Sequence, residues 1–112
     1  MSVMTETDGK DDEIRDLLTW LRNRLGQSFV VTDHWEADRS AIGVSAPDDP
    51  TRLVYISSCN RPAGTYFVEL EAAPATGSEF PYTMVGRFNA IDREQLLRVV
   101  GEHLHVRSPR PS

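Results

Sequence analysis

Two stretches with the apolar period of an α-helix, one towards each end of the chain, constrain the fold more than any other feature. In the first, Ile14, Leu17, Leu18, Leu21 and Leu25 recur at spacings of three and four, with Glu13, Arg15, Asp16, Arg22 and Arg24 between them. That spacing predicts a helix over residues 12–25 with one buried face. Asp11 stands where a side chain can cap the free amides of the first turn, and Arg22 and Arg24 suit the negative end of the helix. Gly26 follows as a stop, because glycine readily reaches the positive φ of a helix end. Trp20 lies at the edge of the stripe, where it could complete the core or face a partner. In the second stretch, over residues 93–104, the stripe is Leu96, Leu97, Val99, Val100 and Leu104. Asp92 and Gln95 make a capping-box pair, and Ile91 can pack on Leu96 as a hydrophobic staple. Gly101 costs this helix about 1 kcal/mol relative to alanine, which points to a close approach to the sheet.

The region between the helices alternates with period two. Residues 28–33 place Phe29 and Val31 on one face and Val30 and Thr32 on the other; residues 40–45 set Ile42 and Val44 against Gly43 and Ser45. Residues 52–57 carry Leu53, Val54, Tyr55 and Ile56 and read as a central strand apolar on both faces. Residues 65–71 turn Tyr66, Val68 and Leu70 inward, and residues 81–87 form a fifth strand led by a proline, as befits a strand start or an edge. Turn clusters at Asp48, Asp49 and Pro50 and at residues 60–64 separate the strands, and no gap holds a crossover helix, so the pairing is antiparallel. The fold class is therefore α+β: an antiparallel sheet of about five strands with the N-terminal and C-terminal helices packed on one face. The opposite face is expected to be open or partly open. The outward apolar residues of the third strand would call there for a bend, a partner or a second copy.

At 112 residues the chain reads as a single domain, with an ordered core over about 12–106 and flexible ends at 1–10 and 107–112. A chain of this length buries roughly 65% of its unfolded surface without needing a staple. No apolar run approaches the roughly 20 residues needed to cross a bilayer, and the acidic first 13 residues are neither signal peptide nor anchor, so no membrane role is expected. One cysteine, Cys59, fits a reducing compartment and a cytoplasmic location. The net charge is −5, and the 12 basic residues are dispersed, so no nucleic-acid footprint is present and a basic protein partner is favoured.

Few side-chain groupings point to chemistry. Asp33, His34, Trp35 and Glu36, with Asp38 close behind, form a loop in which a tryptophan between charges can anchor an interface. Glu69 and Glu71 project from one face of a strand with Phe67 in line, an acidic and aromatic stripe suited to a basic partner. Two carboxylates adjacent on one strand do not flank a substrate as hydrolases require. Cys59 lacks a nucleophile signature and reads as a packed thiol, and residues 57–60 read as a turn. His103 and His105 are two apart, which is not a helical metal pair, and one of them can favour the helix C-terminus. The loop around Gly77 lacks a phosphate-binding pattern. No catalytic residue, metal or cofactor is expected.

The run Val31, Thr32, Asp33, His34, Trp35, then Ala41, Ile42, Gly43, then Leu53 to Ser57 and Tyr66 to Leu70, resembles small bacterial immunity proteins over roughly residues 28–88. The resemblance implies a cytoplasmic, non-enzymatic inhibitor that blocks the active site of a cognate toxin domain in a toxin–immunity or contact-dependent growth inhibition system. Its partner-binding residues would be Asp33, His34, Trp35, Glu36, Asp38, Phe67, Glu69 and Glu71. The alternatives are a homodimeric structural or regulatory module and, less favoured, a small thiol-dependent enzyme built on His34 and Cys59.

Overall fold

A computed structural model describes residues 10–32, 39–60, 62–74, 77, 79 and 83–105 of the chain. Helix α1 (Asp12–Leu25) is followed by a 3-10 turn (Gly26–Ser28) and by strands β1 (Val30–Val31), β2 (Ala41–Ala46), β3 (Asp49–Ser57), β4 (Thr65–Ala72) and β5 (Thr83–Asp92), then by helix α2 (Arg93–His103). The strands form one antiparallel meander in the order β1-β2-β3-β4-β5. Ile14, Leu17, Leu18 and Leu21 of α1 and Leu96 and Val100 of α2 share one core with Ile42, Val44, Val54, Ile56, Tyr66, Val68 and Ile91 of the sheet. Each such side chain, fully buried, contributes roughly 1.5–3 kcal/mol. Both helices thus cover the same face, as the two stripes require.

The helix ends are set by different means. At α2, the Asp92 carboxylate accepts from the Gln95 amide at 2.9 Å and the Gln95 side chain accepts from the Asp92 amide at 3.0 Å, a complete capping box. At α1, Asp11 occupies the cap position but its side chain does not cap; the carboxylate turns instead to Arg39, 3.5 Å away, and the Asp11 amide donates to the Arg39 carbonyl. Gly26 ends α1 at φ +60. Arg22 closes the same end: its guanidinium donates to the carbonyls of Gly26 (3.1 Å) and Phe29 (2.8 Å) and lies 4.0 Å from the centre of the Phe29 ring.

Strand bounds shift from expectation where the alternation is broken. The 3-10 turn consumes residues 26–28 and leaves β1 with two residues, although Thr32 still donates to the Gly43 carbonyl. Asp49 pairs with Ala46, so the β2–β3 turn is Pro47 and Asp48, and β3 starts three residues earlier than the apolar run implies. Pro50, Thr51 and Arg52 are the extra residues of a bulge opposite Ser45 and Ala46. Strand β5 runs to Asp92 rather than Arg87. Two register shifts, at Val85 and at Asn89 and Ala90, move its side chains out of strict alternation while keeping Gly86, Phe88 and Ile91 on the core side.

Glycine positions also differ. A Cβ at Gly101 would meet nothing within 4 Å, so no close approach explains it. Gly101→Ala is accordingly expected to stabilise the protein by about 0.5–1 kcal/mol, read as a raised urea midpoint. The close approach lies at Gly86, where a Cβ would come within 3.1 Å of Leu70 Cδ1.

Candidate binding surface

The register builds the face turned away from the helices row by row. Gly43, Tyr55, Glu69 and Arg87 lie side by side across β2 to β5; Ser45, Leu53, Glu71 and Met84 form the next row, and Ala41, Ser57 and Phe67 a third. This face is not uniformly open. Ala41, Ser45 and Leu53 are fully buried and Ser57 nearly so, which closes the face over β2 and β3. Towards β4 and β5 the exposure rises: Tyr55, Phe67, Glu69 and Glu71 are half-buried, and Met84 and Val85 are 51% and 56% exposed.

The accessible half carries charge and aromatic surface together. Arg87 Nη2 donates to Glu69 Oε2 at 2.9 Å and Nε at 3.2 Å, and the guanidinium sits 6.0 Å from the centre of the Phe67 ring. Phe67 and Tyr55 meet edge to face, with ring centroids 6.2 Å apart. Glu69 is therefore part of a cross-strand pair, not a solvated carboxylate alone. Of the residues expected to bind a partner, Phe67, Glu69 and Glu71 share this surface; Asp33, His34, Trp35, Glu36 and Asp38 lie outside the described residues. Tyr55, Met84 and Arg87 join the surface through register. A count along the chain does not reveal that.

A polar network sits on the helix side. The Tyr66 hydroxyl donates to Glu13 and accepts from Arg93 Nε at 3.0 Å, while Arg93 Nη2 donates to Glu13 at 3.1 Å and to Asp16 at 2.8 Å. Burial, followed by the hydrogen bond to Glu13, pushes the Tyr66 phenol up to about 12. Burial works against the Arg93 charge, but the bonds to Tyr66, Asp16 and Glu13 hold its affinity for the proton above the usual value. Trp20 is half-buried beside this network, with the Arg24 guanidinium 4.0 Å and that of Arg93 5.9 Å from its ring. Two residues of α1, Glu13 and Asp16, and one each of β4 and α2 thus close the cluster, and the guanidinium charge is met by two carboxylates.

The remaining candidates resolve into structural roles. His103 Nε2 donates to the Glu71 carbonyl at 2.7 Å, so the ring ties α2 to β4 instead of capping its own helix. Burial holds its pKa below the usual value, against the opposing effect of that bond. His105, at φ +56, turns its ring towards Arg52, with Nε2 3.2 Å from Nη1. Both Arg52 and His105 line an open cleft of about 450 Å³ beside Asp48 and Asp49. Cys59 is exposed in a turn, which corrects its reading as a packed thiol, and its amide donates to Ser57 Oγ at 3.2 Å. Among the described residues no group of three His, Cys, Asp or Glu is placed to hold a metal ion, and no helix is long and apolar enough to cross a membrane. Comparison with protein-family models, with curated proteins and with solved structures found no match to this chain.

Proposed function

We propose that this chain is an immunity protein, a non-enzymatic cytoplasmic binder that blocks a cognate bacterial toxin domain with the β4–β5 half of the sheet face turned away from the helices. The observation that carries the reading is the row Phe67, Glu69 and Glu71 along β4, half-buried on the face turned away from α1 and α2 and flanked by exposed Met84. Aromatic and apolar groups beside carboxylates are what an interface with a basic protein surface uses: the apolar groups supply buried area and the acids steer the encounter. The net charge of −5 has the sign such a partner needs. Inhibition by occlusion asks nothing of a nucleophile or a metal.

The partner would be a toxin domain with a basic active-site cleft, and the product of the adjacent gene is the first to test. Co-expression should protect cells from that toxin, and the two purified chains should form a stable complex. Failure of both, with the two proteins folded, would remove the reading.

A further inference from the structure

We propose that the C-terminal end of α2 is an acid-released latch, held on β3 and β4 at neutral pH by His103, His105 and Arg52 and let go when the two imidazoles are protonated. Three contacts fasten this end. His103 Nε2 donates to the Glu71 carbonyl at 2.7 Å, and Arg52 Nη1 lies 3.4 Å from the His103 carbonyl oxygen and 3.2 Å from His105 Nε2. Leu104, between the two histidines, is buried in the core. A guanidinium can only donate, so the ring nitrogen that faces it must accept, and His105 is neutral in this arrangement. A proton on that nitrogen sets two donors and two positive charges against each other. On His103, Nε2 already carries the hydrogen bonded to Glu71. An added proton goes to Nδ1 and puts a charge on a half-buried ring beside Arg52 and His105.

Each neighbouring element supplies its own groups to this corner. Strand β3 supplies Arg52; β4 supplies the Glu71 carbonyl, its carboxylate lying in the row on the far face. Asp48 in the β2–β3 turn and Asp49 at the start of β3 line one cleft with Arg52 and His105, and α2 adds the exposed Glu102. Bonds from the Thr51 hydroxyl and amide hold the Asp49 carboxyl below its usual range, so it stays charged. Carboxylic acids as a class titrate about two units below imidazole, so between about pH 7.5 and 5 the charge of this corner changes at histidine. Burial above all, with Arg52 and His105 adding to it against the Glu71 bond, holds the His103 pKa below 6.5. The neutral ring therefore contributes its full stability above pH 6.5, and the contribution is lost as the pH falls through the folded value. The other end of α2 is fastened without histidine, by the capping box of Asp92 and Gln95 and by the bonds from Arg93 to Glu13 and Asp16. The helix should accordingly open from its C-terminal end, exposing Leu104 and widening the cleft that Arg52, Leu104 and His105 line.

Amide hydrogen exchange of the full chain tests this, followed by NMR and expressed as protection factors so that the intrinsic pH dependence drops out. Between about pH 7.5 and 5, protection at Leu104 and in the turn before it should fall at least about fivefold, while that of Leu97 and Arg98 changes less than about twofold. The paired variant His103→Gln with His105→Gln, checked for folding by circular dichroism, keeps polar side chains that cannot take up a proton. Its last turn should be equally protected at both pH values. Arg52→Gln, which removes the fixed positive charge, should shrink the fall. Wild-type protection in the last turn that does not change, an equal fall at Leu97 and Arg98, or a fall undiminished in the paired variant or in Arg52→Gln would overturn the proposal.

Discussion

Leu53→Ala is expected to lower the free energy of unfolding by about 2–4 kcal/mol, as much as truncation of a leucine under the helices. Leu53 points away from both helices, yet it is fully buried between Ser45 and Glu71 of the flanking strands. A leucine on a bare sheet face would lose little on truncation. One in a dry site loses the transfer energy of its removed atoms and leaves a cavity that its neighbours fill only in part. Urea unfolding of Leu53→Ala beside Leu17→Ala, the helix-side control, reads the difference directly. A loss below about 1 kcal/mol for Leu53→Ala with the full loss for Leu17→Ala would show the far face to be open over β3.

The second large effect belongs to the network joining α1, β4 and α2. Tyr66→Phe removes the hydroxyl that donates to Glu13 and accepts from Arg93, leaving a part-buried carboxylate short of a donor, at a cost of roughly 1–2 kcal/mol at neutral pH. The same residue sets an alkaline limit. Its phenol, at about 12 in the folded chain against 10 for an ordinary tyrosine, favours the neutral form when folded. Its stabilising contribution is therefore fully present below pH 10 and is lost as the pH rises from 10 through 12. Tyr66→Phe should be less stable than the wild type at pH 8 and should lose less between pH 9 and 11. Parallel pH profiles for the two proteins would place the linkage elsewhere.

What the sequence discloses follows from the range of the forces involved. The stripes of α1 and α2, the stop at Gly26 and the capping box at Asp92 and Gln95 rest on neighbours within four residues, and each is where local spacing puts it. The five strands and their antiparallel order follow from short connections. Cross-strand register is less legible, because a bulge adds a residue without leaving a mark in composition. Residues 89 and 90 break the alternation, so the apolar pattern read along the chain stops at Arg87 although Phe88 and Ile91 still pack inward. Asp11 looks like a cap, but Arg39, distant in sequence, claims its carboxylate. Pairings such as Glu69 with Arg87 and Tyr66 with Arg93 join residues 18 and 27 apart and arise only once the strands and α2 have docked. The stripe of Phe67, Glu69 and Glu71 was legible because period two alone puts it on one face.

The proposed partner is expected to meet this stripe and not the helices. Calorimetric titration of the toxin with two variants of equal charge tests it. One carries Glu69→Lys and Glu71→Lys on β4; the other carries Glu94→Lys and Glu102→Lys at exposed positions of α2. The β4 variant is expected to bind more than tenfold weaker at low salt, a loss of at least about 1.4 kcal/mol, and the α2 variant to stay within threefold of the wild type. Equal weakening of both, or a larger loss from the α2 variant, would contradict it.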